Sequence, residues 1–365
     1  MNITTSAKRI KQAIQLTERI TGKNLTLPIL SSILIIASGK TLKFRSTNLS
    51  LGIEVDIPVK VNKEGVVAVR GDVLSQIFST VSDNEDIELK QENDNLVIIT
   101  KNNQLLIKSS SYEDFPTIPV VSGDKHTLNS KKIVEGIKAV VYSCSTSDIK
   151  PEMASVYIYS EDENLVFVAT DSFRLAEKKI KSKHSTDFSP ILIPFKNINE
   201  IVRILETTNE DVECVISKNQ ISFIFDGIYI TSRIIDGVFP DYKQIIPKNF
   251  TTEVVLLRQD FLNALKISNI FSDKFNQITF NIDPKNKICE LNARNNDIGE
   301  NKTKIDATIE GESISMSFNY RYIIDCFQSI NQDSITLKFN GTNKPLIIKG
   351  GSDQTFIYLV MPMNR

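Results

Sequence analysis

The sequence predicts an α+β protein made of three similar domains, each with two helices and antiparallel sheets. Three observations predict it. Six stretches carry a one-sided apolar stripe at helical spacing. The segments between them alternate apolar and polar residues and are rich in β-branched side chains, as strands are. The helices recur with a long period.

The first helix spans about 6–20, with Ile10, Ala13, Ile14, Thr17 and Ile20 on one face and Lys8, Gln12, Gln15 and Arg19 opposite. The second spans about 71–81, with Val73, Leu74, Ile77, Phe78 and Val81. The third, about 130–145, carries Ile133, Ile137, Val140, Val141 and Cys144. The fourth, about 196–206, carries Ile198, Ile201, Val202 and Leu205. The fifth, about 259–271, carries Phe261, Leu262, Leu265 and Ile270. The sixth, about 319–330, carries Ile323, Cys326, Phe327 and Ile330. Between them, Ile53–Ile57, Asn95–Ile99, Ser222–Phe225, Ser313–Ser317 and Phe356–Val360 read as strands.

Helices one, three and five begin roughly 122–129 residues apart, and helices two, four and six follow at a similar interval. Short motifs recur in step. Tyr112-Glu113-Asp114-Phe115-Pro116 closes the first third and Gly237-Val238-Phe239-Pro240-Asp241-Tyr242 the second. Thr47-Asn48-Leu49 and Thr170-Asp171-Ser172 stand at equivalent offsets after paired strands. Boundaries are therefore expected near 120 and 247, giving domains 1–120, 121–247 and 248–365. A unit this long can hold its own core, and three in a chain suggest a curved array that a cyclic homo-oligomer would close.

With 365 residues, 41% apolar and 24% charged, the chain is neither fibrous, disordered nor a disulfide scaffold. No window approaches a membrane span, and the N-terminus lacks a basic segment followed by an apolar run, so a cytoplasmic protein without a membrane role is expected. Cys144, Cys214, Cys289 and Cys326 are scattered, which points to buried reduced thiols and no metal site. His126 and His184 lie in polar, loop-like stretches, and with two histidines neither a catalytic triad nor an HExxH site can be built. Gly39-Lys40-Thr41 lacks the upstream glycine of a phosphate loop, since Leu34 stands there; a hairpin turn is expected. No cofactor fingerprint appears, and Asp171 and Asp241 have no identifiable acid–base partner, so an enzyme is not expected.

The formal net charge is −1, unlike that of a protein that holds nucleic acid by adsorption. The helix faces nevertheless carry Lys8, Lys11, Arg19, Lys131, Lys132, Lys138, Lys196, Arg203, Lys266 and Arg321, while acidic clusters such as Asp83–Asp86 and Glu161–Glu163 fall in turns. A neutral total can thus hide a basic helical surface.

Four motifs in register resemble one family over the whole chain: the bacterial sliding clamp, the β subunit of DNA polymerase III. They are Thr26–Ser32, Ala169–Ala176, Asp236–Tyr242 and the end, Tyr358–Arg365. The resemblance implies a head-to-tail homodimer forming a six-lobed ring, helices inside and sheets outside, around double-stranded DNA. It implies partners without a cofactor: the polymerase III catalytic subunit, the clamp loader complex, and other clamp-binding proteins such as repair polymerases, mismatch repair proteins and ligase. Partners of this family insert a short hydrophobic peptide into a pocket. The matching positions are Met153, Thr170, Ser172, Phe173, Arg174, Leu175, Pro240, Gln244 and Ile245, with Asn319, Tyr322, Pro345, Val360, Met361, Pro362, Met363 and Arg365. The family often has Gly-His where Ser172-Phe173 stands, and commonly a basic residue at Gln244. Asn24 stands where a DNA-contacting arginine is usual, with Lys23 beside it, so both join the DNA-facing set. The ring interface is expected around Leu105 and Ile107 in the first domain and Ile270 and Phe271 in the third. A scaffold that never encircles DNA, and an enzyme using Asp171 and Arg174, are the rival readings.

Overall fold

A computed structural model of the chain describes residues 1–22, 26–182 and 188–363. The first third runs β1 (Asn2–Ser6), α1 (Ala7–Thr17), β2 (Ser32–Ser38), β3 (Thr41–Thr47), β4 (Leu51–Pro58), β5 (Lys60–Lys63), β6 (Gly65–Arg70), α2 (Gly71–Thr80), β7 (Asp86–Glu92), β8 (Asn95–Ile99) and β9 (Gln104–Ile107). The second runs β10 (Asp124–Asn129), α3 (Ser130–Val140), β11 (Ser155–Glu161), β12 (Asn164–Thr170), β13 (Arg174–Lys181), β14 (Ile191–Pro194), α4 (Phe195–Leu205), β15 (Asp211–Ile216), β16 (Gln220–Phe225) and β17 (Ile228–Arg233). The third runs β18 (Thr252–Leu257), α5 (Arg258–Ile270), β19 (Gln277–Asp283), β20 (Ile288–Asn295), β21 (Gly299–Lys304), β22 (Ala307–Gly311), β23 (Ile314–Asn319), α6 (Tyr320–Asp325), β24 (Ser334–Phe339), β25 (Leu346–Gly350) and β26 (Phe356–Val360).

Two compact units result. One comprises Met1–Lys131 and Lys196–Asp236, the other Lys132–Phe195 and Gly237–Arg365. The first holds a sheet ordered β5-β1-β7-β8-β9 and another ordered β10-β15-β16-β17-β4-β3-β2-β6. The second holds β14-β11-β12-β13-β26-β25-β24-β18-β22 and β21-β20-β19-β23. In each unit one sheet runs unbroken from one third into the next: β17 pairs antiparallel with β4, and β26 with β13.

The helices form where the apolar stripes place them. Ile10, Ala13, Ile14 and Thr17 of α1 are buried. The Thr17 hydroxyl donates to the Ala13 carbonyl at 2.8 Å, which lets a polar side chain share the stripe. In the second unit, Phe261, Phe280, Phe318, Phe327 and Phe339 pack with ring centroids 5.5–6.2 Å apart. Burying each such ring is worth roughly 1.5–3 kcal/mol. The sixth helix is shorter than its periodicity predicts: α6 tightens into a 3-10 turn at Cys326–Gln328. There the Arg258 guanidinium takes the Phe327 and Ile330 carbonyls at 2.9 and 2.8 Å, ending the helix by satisfying its last acceptors from outside.

Three sequence expectations need correction. Ile270 is 62% exposed rather than part of the α5 stripe, because it falls at the last helical residue, beyond the buried turn of Ser268. His126 lies half-buried in strand β10, paired opposite Cys214, not in a loop. Cys144 follows α3 and a 3-10 turn instead of sitting within the helix. Gly39 does top a two-residue turn between β2 and β3 at φ +59°, its N–H held by Glu64 at 2.8 Å. His184 lies outside the described residues. Among the described residues all four cysteines are free and buried, no helix is long and apolar enough to cross a membrane, and no cluster of three metal-ligating side chains occurs.

Candidate functional site

The loop joining β12 to β13 is built around two side chains. The Thr170 hydroxyl accepts from the Ser172 N–H at 3.3 Å and donates to the Arg174 carbonyl at 2.7 Å. The Asp171 carboxylate accepts from the N–H groups of Phe173 and Arg174 at 2.9 and 3.0 Å. Four local hydrogen bonds hold Ser172 at φ +79°, an uncommon conformation for a residue with a side chain. The tight turn thrusts Phe173 outward, where it is 59% exposed.

Arg174 is then fixed from three sides. Its Nε meets Asp171 at 3.0 Å, its Nη1 meets Asp325, and its guanidinium lies 4.8 Å from the centroid of the Tyr322 ring. The Phe173 and Tyr322 rings stack at 6.3 Å and 18°. Burial opposes the Arg174 charge, but the Tyr358 hydroxyl and the two carboxylates overcompensate and hold its pKa above the ordinary arginine value. The result is a rigid rim of two aromatic faces and one locked cation.

The chain end completes it. Val360 of β26 pairs with Arg174, the Met361 N–H donates to the Phe173 carbonyl at 2.8 Å, and the Met363 N–H donates to the Ser317 carbonyl at 2.8 Å. Met361, Pro362 and Met363 are half-buried. Met153, Leu175, Pro345 and Val360 are buried. The Ser172 hydroxyl lies 3.7 Å from the Met153 sulfur. Asn319 caps α6 by accepting from the Arg321 N–H at 2.9 Å, and the Tyr358 hydroxyl donates to the Tyr322 carbonyl at 2.7 Å, so the Tyr322 backbone is pinned as well. Arg365 lies outside the described residues.

Pro240, Gln244 and Ile245 sit on the strap 237–247, held down by an aromatic stack and by hydrogen bonds of the Tyr242 hydroxyl. Phe239 stacks on Tyr157 at 4.8 Å, and Tyr157 on Tyr159 at 5.0 Å. The Tyr242 hydroxyl donates to buried Glu177 and lies 2.8 Å from the Tyr159 hydroxyl. Gln244 donates to Asp241 at 2.7 Å, and Ile245 is 48% exposed. Sequence reasoning missed Asp325, Glu177 and Tyr242 as supports of the site. Asp325 lies far along the chain from Arg174, and nothing in local sequence pairs them.

The helix cations divide. Lys8, Arg19, Lys131, Lys138, Lys196, Lys266 and Arg321 are exposed. Lys11 is paired with Asp83 at 2.6 Å. Arg203 overturns its solvent-face reading: half-buried, it donates to the Gln15 and Leu16 carbonyls at 3.0 Å each and binds Glu200 at 2.6 Å, so it seals the end of α1. Lys23 and Asn24 lie outside the described residues. In the expected interface segments Ile107 is buried and Leu105 and Phe271 are half-buried, whereas Leu106 and Ile270 are more than half exposed.

Three family models match almost the whole chain: the DNA polymerase III beta subunit N-terminal domain over 1–119, its central domain over 127–241 and its C-terminal domain over 243–364. The chain belongs to the DNA polymerase III beta subunit family, the bacterial sliding clamps. Among its relatives, the beta sliding clamp of Staphylococcus epidermidis is 26% identical over 348 residues, covering 93% of this chain and 92% of its own. That of Synechococcus elongatus is 25% identical over 371 residues, covering 100% and 99%. The crystal structure of the Bacillus subtilis DNA polymerase sliding clamp superposes with a TM-score of 0.95 at 25% identity, covering 100% of this chain and 99% of that one. The clamp is a non-catalytic accessory subunit that confers processivity, and its partners are DNA and a polymerase. The Asp171–Arg174 ion pair is accordingly structural: it rigidifies the rim.

Proposed function

We propose that two copies of this clamp close head to tail into a six-lobed ring, with domains 1–120, 121–247 and 248–365, that encircles duplex DNA in the cytoplasm. The observation that carries the reading is a repeated seam. The third strand after the first helix of one third pairs with the last strand of the next: β4 with β17, and β13 with β26. The two strands left over by this rule are β21 and β9, and each is the last strand of its sheet. Two copies would use them on each other, removing exposed edges and completing closed symmetry. The exposed lysines and arginines of the helices would ease the approach of phosphates without gripping them, since many strong phosphate contacts would stall sliding.

The rim of Phe173, Arg174, Tyr322 and Met361–Met363 would take a short hydrophobic segment from the polymerase, the clamp loader, repair polymerases, mismatch repair proteins or ligase. Methionine suits a surface that must fit several partners. Negative-stain microscopy should show a six-lobed ring with a hole wider than a duplex; open or compact particles would count against it. Leu106→Glu, at an exposed position of the β9 edge, should convert the two-chain species to one chain in sedimentation. Met361→Ala with Pro362→Ala should abolish peptide binding yet leave the two-chain mass intact. Loss of the dimer in that double variant would place the groove elsewhere.

A further inference from the structure

The loop after β3 in the first compact unit is a copy of the rim loop, hydrogen bond for hydrogen bond. The Thr47 hydroxyl accepts from the Leu49 N–H at 3.0 Å and donates to the Leu51 carbonyl at 2.8 Å. The Asn48 side chain accepts from the N–H groups of Ser50 and Leu51 at 3.0 and 2.8 Å. Leu49 stands at φ +73°, matching Ser172. Ser232 pairs with Leu51 as Val360 pairs with Arg174, and the Arg233 N–H donates to the Ser50 carbonyl at 2.9 Å as that of Met361 does to Phe173.

Beside this copy lies a cleft of about 280 Å³, walled by the loop, the segment Pro116–Pro119 and β17. The wall is preorganised: the Tyr229 hydroxyl donates to the Pro119 carbonyl at 2.8 Å and accepts from the Val121 N–H at 2.9 Å. Ile118 is buried against Gly52, where an added Cβ would stand 3.1 Å from it, so a glycine there lets the floor close tightly. Leu49, 41% exposed, offers apolar surface at the mouth. Two polar groups lining the cleft are unused. Thr231 is only 4% exposed and its hydroxyl has no hydrogen-bond partner. Arg233 is exposed, and among the described residues no ion pair of its guanidinium with a carboxylate occurs. A buried hydroxyl left unpaired is costly, and a ligand that satisfies it recovers that cost.

We propose that this cleft is a second peptide site, which takes a short extended segment of a partner protein carrying a carboxylate beside an apolar side chain. Arg233 binds the carboxylate, the Thr231 hydroxyl takes a backbone group, and the apolar side chain rests on Leu49 and Ile118. The ligand class follows from the likeness to the rim loop and so rests on reading that rim as a peptide groove; the charge preference follows from Arg233 alone.

Methyl-labelled full-length protein separates the two sites. Acetyl-Leu-Asp-Leu-amide should shift the methyl signals of Leu49, Ile118 and Thr231. The affinity read there should fall at least about tenfold with acetyl-Leu-Asn-Leu-amide or with Arg233→Gln. Thr231→Val, which keeps the side-chain shape, should weaken the binding read at Leu49 and Ile118 without altering the signals of Met361 and Met363. Shifts confined to Met361 and Met363 would overturn the second site while leaving the rim groove standing. Equal binding of the Asp and Asn peptides at Leu49, Ile118 and Thr231 would overturn the assignment to Arg233, and shifts at neither set would overturn the second site together with the ligand class it borrows.

Discussion

Arg174 has a fixed position because three different interactions converge on it: two carboxylates and a ring face. Each alone is modest, but a planar guanidinium held by one carboxylate at Nε, a second at Nη1 and a ring against its face has few rotamers to choose from. The thiols show the opposite use of burial. Burial pushes Cys144 up to about 12 and Cys289 up to about 11, so neither forms a thiolate at neutral pH. A disulfide-exchange reagent should therefore label none of the four cysteines in the native protein and all four after unfolding. Gly136 marks a packing limit: an added Cβ would stand 2.2–2.5 Å from the Phe167 ring. Gly136→Ala should cost about 1–3 kcal/mol and lower the denaturant midpoint without changing its slope.

At the scale of elements, the strap 237–247 carries Pro240, Gln244 and Ile245 but has little regular structure of its own beyond one 3-10 turn. It is held by Phe239 and Tyr242 inward, and by Lys243 pairing with Glu161 outward. Lys179 first, then Lys243, holds the Glu161 carboxyl below its ordinary value. A lowered folded pKa adds stability that is present above the unfolded value near 4.5 and is lost as pH falls through the folded value. Glu161→Gln should thus melt at a lower temperature than the parent at neutral pH, and the gap should close as pH is brought toward about 3. A gap independent of pH would mean that packing, not charge, holds the strap.

For the whole molecule, a net charge of −1 and a repeated seam point the same way. Holding by topology needs little affinity, so retention should depend on the DNA having no ends. Protein assembled on circular DNA should remain through moderate salt and leave when a single cut linearises the circle; an adsorbing protein would stay after the cut and leave with salt.

The six helices and the strand-rich segments were legible because each depends on local periodicity, which a short window contains, and the long repeat because those local patterns recur at a regular spacing along the chain. So were the positions of the rim: Thr170–Leu175 and Val360–Met363 stand in recognisable motifs. The end of α6 was not legible, since Arg258 from another helix decides it. Nor was the fate of Arg203, which periodicity alone placed on a solvent face and tertiary contact turned onto the α1 carbonyls. The tie between Arg174 and Asp325, and the unpaired Thr231 hydroxyl beside Arg233, exist only once distant strands are laid side by side. Sequence alone determined which faces would be apolar and how often the pattern repeats, because burial tendency belongs to each side chain. Partnership between charges and hydrogen-bonding groups belongs to pairs separated by the fold, and the tertiary structure alone decided it.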